Sequence, residues 1–258
     1  MRVERGMLPA MNRAAFHDLF AESRPVVLPV IHVLDTDRTI RNIDVLRAAG
    51  APGCFLINHD FGVEAFLPVV RETRARFPDL WMGVNFLAVT GRDAFPVLGD
   101  LTKEGCRVDA YWADDARIDE RSQTQEEAAD IARIRASSGW NGLYFGGTAF
   151  KKQRRVAEAD YGTAARIAAE WMDVVTTSGI ATGEEADTGK IATFREAIGD
   201  VPLALASGIT PENARSYREV DAFMVATGIN EPGNFYDIDP ARLDTLLAVT
   251  RKMAEERA

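Results

Sequence analysis

The chain has 258 residues, a net charge of −9, 47% apolar residues and 27% charged ones. That composition excludes a disordered, collagen-like or disulfide-stapled chain. So acidic a balance also argues against nucleic acid as a partner, because non-specific binding needs clustered Lys and Arg to release counterions. The length suits one barrel-sized domain or two small ones. Cys54 and Cys106 lack CxxC spacing, which argues against a zinc site; Cys54 lies in an apolar run and reads as a buried thiol. The Met1–Arg5 stretch lacks the apolar run of a signal peptide, and no segment reaches about 18 apolar residues. No transmembrane segment is therefore expected, and the cytoplasm is the expected location.

In chain order, Asn12–Glu22 reads as a helix placed to cover a barrel bottom. Eight short apolar runs follow: Val26–Val33, Gly53–Asn58, Trp81–Ala88, Asp109–Ala113, Gly142–Phe150, Asp173–Ser178, Pro202–Ser207 and Ala222–Thr227. Their starts lie 20 to 33 residues apart, against the roughly 30 residues of a βαβ crossover. Their near-continuous apolar character is that of strands buried on both faces. Between them, Thr124 and Glu127 form a capping-box pattern for a helix over Gln125–Ser137. Thr210-Pro211 opens a short helix. Asp239-Pro240 opens a last one, with Leu243, Leu246, Leu247 and Thr250 on one face. Eight such units predict a single (β/α)8 TIM barrel over 25–258, preceded by a lead-in and helix over 1–24. An open dinucleotide-binding sheet would need a Gly-x-Gly-x-x-Gly turn after the first strand, where the chain reads Ile31-His32-Val33-Leu34-Asp35.

A TIM barrel carries its site at the C-terminal strand ends, which fixes where to look. Strand seven ends in Ser207-Gly208 and strand eight in Thr227-Gly228. Paired glycine turns there let backbone N–H groups approach a phosphate, and a helix N-terminus after strand eight would add donors. Strand six ends in a hydroxyl-rich loop containing Thr177, Ser178 and Thr182, suited to ribose hydroxyls or a second anion, or to a lid. Strand two ends in Asn58-His59-Asp60, a candidate acid/base pair beside an amide. His32 faces either the barrel interior or a helix. Asn85 on strand three is a buried amide that substrate could satisfy. Asp114-Asp115 could act as base, sugar anchor or magnesium ligand, or cap the next helix. Lys151 ends strand five, within the basic run Lys151-Lys152-Gln153-Arg154-Arg155, and could meet a phosphate or developing negative charge.

Asp173-Val174-Val175-Thr176-Thr177-Ser178-Gly179-Ile180-Ala181-Thr182-Gly183 resembles the strand-six signature of the BtpA family. So do Ala206-Ser207-Gly208-Ile209-Thr210-Pro211-Glu212-Asn213 and Val220–Thr227, and Gly83-Val84-Asn85 looks like that family's strand three. The family is named for a cyanobacterial photosystem I biogenesis protein and is grouped with the ribulose-phosphate-binding barrels. Ile57 stands where the family has an acid, Lys152 where it has a His, and Gly146-Gly147 where it has Ala-Asp. His59 and Asp60 are peculiar to this chain and stand as candidates to replace those groups.

Two functions follow. One is an enzyme on a phosphorylated sugar or ribosyl compound, an isomerase, lyase or glycosidase. In it Ser207, Gly208, Thr227 and Gly228 hold phosphate, and His59, Asp60, Asp114 and Lys151 do chemistry. Asn58, Asn85, Thr177, Ser178 and Thr182 contact substrate. The other, implied by the resemblance, is a non-catalytic assembly or stability factor for a protein complex. No cofactor is called for, a divalent metal or flavin stays open, and a homo-oligomer is possible for a barrel.

Overall fold

The computed structural model describes residues 11–22, 25–181 and 183–256. Eight parallel strands close into a barrel in sequence order: β1 (Val26–Val33), β2 (Gly53–Asn58), β3 (Trp81–Asn85), β4 (Ala110–Ala113), β5 (Leu143–Gly147), β6 (Val174–Thr177), β7 (Leu203–Leu205) and β8 (Ala222–Val225). β8 pairs with β1, from Val26 opposite Ala222 to Pro29 opposite Val225, and this closes the ring. Helix α1 (Arg13–Leu19) precedes the barrel. Helices α2 (Thr36–Ala49), α3 (Val63–Arg76), α4 (Gly91–Lys103), α5 (Glu126–Ser138), α6 (Tyr161–Ala168) and α7 (Thr188–Ile198) follow β1 to β6, and α8 (Pro240–Glu255) follows β8. Only a 3-10 turn, Ala214–Tyr217, follows β7. This accounts for the short spacing between the last two strands.

Alternate residues of each strand serve two cores. Outward side chains such as Val27, Ile31, Leu56, Val84, Tyr111 and Leu205 pack under the helices. Inward ones, among them Leu28, Phe55, Trp112, Phe145 and Met224, fill the barrel. The Phe55 ring centroid lies 5.2 Å from Phe145 and 5.5 Å from Trp81. Gly83 makes room for it, because a Cβ there would come 2.3 Å from the Phe55 ring. The barrel is thus solid below its upper rim. Cys54 is fully buried on the outer face, and burial pushes its thiol up to about 12.

Helix α1 sits under the strands' N-terminal ends. Asn12 caps it by accepting from Ala15 N at 2.8 Å. Its Phe16 is fully buried against the inner core, with the ring centroid 6.2 Å from Phe145. Asp221, at the foot of β8, anchors it: Oδ1 accepts from Arg13 Nε at 2.8 Å and lies 3.0 Å from His17 Nε2. Oδ2 accepts from Arg195 and from Leu203 N, each at 2.9 Å.

Three local readings of the sequence are corrected. The Thr124/Glu127 capping box does not form: α5 starts at Glu126, its N-cap Gln125 makes no side-chain cap bond, and Glu127 instead pairs with Arg117. β3 stops at Asn85 and β5 at Gly147, although the apolar runs continue. The chain turns there through left-handed Ala88 (φ 62°) and Ala149 (φ 46°). No α-helix begins directly after β8. Ile229 N and Asn230 N both donate to Ala226 O, at 2.9 and 3.1 Å, which closes one turn, and α8 starts only at Pro240. Asp239 does cap α8, accepting from Ala241 N at 2.8 Å.

Candidate active site at the barrel mouth

A narrow cavity of about 50 Å³ opens at the C-terminal strand ends, room for roughly three to five water-sized groups. The turns after β7 and β8 (Ser207, Gly208, Thr227, Gly228) form one side; His32, His59, Trp112, Asp114, Lys151 and Lys152 line the other.

The turn side is built from close backbone packing. Gly208 has φ +68°, and a Cβ there would sit 2.1 Å from the Glu184 carbonyl oxygen; at Gly228 a Cβ would sit 1.8 Å from that of Ile209. Only glycine lets these loops stack so tightly. Asn213 braces the first turn, donating to Gly208 O at 2.7 Å and accepting from Thr210 N at 2.9 Å. Among the described residues, no hydrogen bond uses the N–H groups of Gly208, Thr227 or Gly228. They are donors without an acceptor among the described residues, as an anion site requires. Ser207 Oγ accepts from Gly179 N at 3.0 Å, which leaves its own proton to donate.

The opposite side is titratable. His32 shares strand parity with Val26, Leu28 and Val30, so it points into the barrel. Its Nδ1 lies 2.8 Å from the Phe235 carbonyl, which can only accept, so Nδ1 carries the proton and Nε2 offers a lone pair. Burial lowers His32 to about 4, helped by the positive charge of Lys151 and against the pull of that hydrogen bond. His59 is lowered too, first by burial and then by Lys152. Both rings are therefore neutral near pH 7. Asp114 is buried, and burial raises its pKa despite Lys152 and a 3.1 Å hydrogen bond from Asn85 Nδ2. Burial and neighbouring Lys152 bring Lys151 down to about 8, against the attraction of Asp114. Trp112 Nε1 and Asp114 Oδ2 are buried without a described partner. Orphaned polar atoms at a cavity are what a ligand would satisfy.

The structure distributes the sequence candidates unevenly. His59, Asp114, Lys151, Ser207, Gly208, Thr227 and Gly228 meet at the cavity. Asn85 lies one layer deeper, engaged with Asp114. Asp60 is exposed and accepts from Tyr236 Oη at 3.2 Å. Asn58 points away from the cavity: its Nδ2 donates to Phe61 O at 2.7 Å and its Oδ1 accepts from Leu87 N at 3.1 Å, tying the loops after β2 and β3 together. Thr177 also lies on the outer parity, fully buried. Ser178 ties strand ends together, accepting from Lys151 N at 2.9 Å and donating to Gly179 O at 2.8 Å. Thr182 lies outside the described residues. Of the two adjacent acids, Asp114 faces the cavity, while Asp115 caps a turn by accepting from Arg117 N at 2.8 Å. Among the described residues no cluster of three or more His, Cys, Asp or Glu could hold a metal ion.

Sequence reasoning gave Trp112 no role, offered Lys152 only as part of the basic run Lys151–Arg155, and left the direction of His32 open. It also gave no sign of the loop between β8 and α8. That loop folds over the mouth: Phe235 stacks on His32 at 3.8 Å and meets His59 edge-on at 5.2 Å. Asn42 holds it, donating to Tyr236 O at 2.8 Å and accepting from Ile238 N at 2.9 Å.

No family model and no curated protein matches the chain. Solved structures do. A tryptophan synthase alpha chain from Legionella pneumophila subsp. pneumophila is 18% identical with a TM-score of 0.62, covering 96% of this chain and 98% of that one. A phosphoribosyl anthranilate isomerase from Thermus thermophilus is 14% identical with a TM-score of 0.55, covering 88% and 98%. A native KDPGal structure is 10% identical with a TM-score of 0.60, covering 89% and 96%. At such identities the likeness is one of fold: this chain is a (β/α)8 TIM barrel, a fold it shares with enzymes. Among the described residues no helix is long and apolar enough to cross a membrane.

Proposed function

We propose that the protein is an enzyme acting on a phosphorylated sugar or ribosyl compound, as an isomerase, lyase or glycosidase, at the barrel mouth. One observation carries this reading: the N–H groups of Gly208, Thr227 and Gly228, without an acceptor among the described residues, share a cavity with His59, Asp114 and Lys151. The turns, with the Ser207 hydroxyl, receive the phosphate, and Lys152 with the largely protonated Lys151 supplies local positive charge against the net charge of −9. Neutral His59 serves as base, and Asp114, held toward its protonated form by burial, serves as acid. That one of the similar structures is named for a phosphoribosyl substrate agrees with this choice. Titration of isotopically labelled protein with inorganic phosphate and with ribose 5-phosphate tests it. Amide shifts at Gly208, Thr227 and Gly228 are expected at millimolar ligand or below, and unchanged amides there would refute the reading.

The BtpA resemblance over Asp173–Thr227 supports a second reading, an assembly factor. It predicts co-purification of a partner complex and a phenotype indifferent to Lys151→Ala.

A further inference from the structure

Only five of the 30 basic residues are lysines: Lys103, Lys151, Lys152, Lys190 and Lys252. Arginine makes most of the ion pairs among the described residues, and Lys103–Asp100 is the one pair there that uses a lysine. Yet the mouth cavity carries two lysines and no arginine. An arginine would clamp a phosphate better, through its planar fork; what an amine can do and a guanidinium cannot is lose its proton near neutral pH.

Buried Lys190 and half-buried Lys151 are held differently. Lys190 Nζ is satisfied, donating to Ala149 O at 2.7 Å and Ser178 O at 2.8 Å, with the Tyr161 and Phe194 rings 5.1 and 5.7 Å away. It ties loops together. Lys151 has its backbone held by Ser178 Oγ, but its Nζ makes a single long hydrogen bond, 3.4 Å to Ala206 O, lies 5.6 Å from the Phe150 ring centroid, and pairs with no carboxylate among the described residues. It lines the cavity together with a second cation, Lys152, and with Asp114, whose Oδ2 has no partner among the described residues. Desolvation and a neighbouring cation are the two devices that turn a lysine into a nucleophile.

We propose that Lys151 is a covalent nucleophile, forming an imine with the carbonyl carbon of an aldehyde or ketone sugar phosphate at the mouth. The phosphate-binding reading above supplies the substrate's position, and the inference rests on it. The Nζ lone pair attacks the carbonyl carbon and the oxygen takes up a proton from the Asp114 carboxyl, giving a carbinolamine. The C–O bond then breaks as the nitrogen lone pair closes the C=N bond. Both amine hydrogens end in the water released, so amine plus carbonyl gives imine plus water, and Asp114 recovers its proton. With Lys151 near 8, roughly a tenth of the amine is free at pH 7.

The test is reductive trapping of the full chain. Protein is incubated with dihydroxyacetone phosphate or ribose 5-phosphate, reduced with sodium borohydride, and read by intact mass and peptide mapping. One adduct on Lys151 is expected, with a trapping rate that rises about tenfold from pH 7 to 9 and falls at least tenfold in Lys151→Arg. If that variant misfolds, as judged by circular dichroism, the wild-type peptide map alone locates the adduct. No adduct, or label spread evenly over Lys103, Lys152, Lys190 and Lys252, overturns the proposal. The amide titration separates the two ideas. Phosphate shifts at Gly208 and Gly228 without an adduct sink the imine and leave the phosphate site. A Lys151 adduct that forms equally with unphosphorylated dihydroxyacetone, with no phosphate shifts, does the reverse.

Discussion

Replacing Lys151 by methionine should stabilise the fold at neutral pH while removing the carbonyl chemistry. The side chain keeps its length and apolar stem but loses a charge that burial disfavours. In the folded chain Lys151 falls from 10.5 to about 8, which at about 1.4 kcal/mol per pH unit amounts to about 3 kcal/mol. The group is only partly buried, so solvent screening leaves on the order of 1–2 kcal/mol. Below pH 8 both folded and unfolded chains hold the proton, and the penalty is fully present. From 8 to 10.5 the unfolded chain binds more protons than the folded one, so wild-type stability rises with pH as the penalty is relieved. Urea denaturation at pH 7, 8.5 and 10.5, followed by tryptophan fluorescence, should show Lys151→Met ahead by 1–2 kcal/mol at pH 7 and level near 10.5. A variant less stable than wild type at pH 7, or a gap that ignores pH, would refute the reasoning. An exchange of stability for reactivity is what a reactive buried group predicts.

Gly208→Ala sets a Cβ 2.1 Å from the Glu184 carbonyl at a φ of +68°, so chemical denaturation should show a loss of about 1–3 kcal/mol, with weaker phosphate binding. Phe16→Ala empties a fully buried site under the barrel and should cost about 3–5 kcal/mol; a loss below about 1 kcal/mol would mean that α1 is not part of the cooperative fold. Asp221→Asn breaks a buried carboxylate's pairing with Arg13, His17 and Arg195, at about 3–5 kcal/mol. Burial pushes Asp221 up, but His17, the Leu203 N–H and Arg13 outweigh it and hold it below 3.8. Its contribution is therefore present above that value and lost as pH falls through the lower folded value. Acid titration should find the gap between wild type and Asp221→Asn closing only below about pH 4.

Strand order and count were legible because each run is buried on both faces, and β1 and β2 match to the residue. Strand ends were less so. The run Phe86-Leu87-Ala88 is as apolar as the strand before it, and the turn at Ala88 comes from backbone conformation that hydropathy does not encode. At the site, the strand-end rule picked out His59, Asp114, Lys151 and the two glycine turns. It also offered Asn58, which fails by parity: its neighbour Ile57 faces in, so Asn58 faces out. His32 needed the same parity argument, but nothing in one sequence says which alternate set faces the axis. Phe235 and Tyr236 arrive from a connection without periodicity, and only the grip of Asn42 brings them to the mouth.

The carbonyl of Glu184 rests on Gly208, and that of Ile209 on Gly228. Three successive loops thus touch main chain to main chain, with no side chain between them to give way. Such contacts transmit displacement instead of absorbing it. A change in the β6 loop must shift both glycine turns together, so this arc of the rim is poorly placed to diversify. The arc after β1, β2, β4 and β5 meets the cavity through His32, His59, Asp114 and Lys151, side chains that can be exchanged one at a time. Selection for a new substrate would find its freedom there, while the arc of glycine turns stays as inherited.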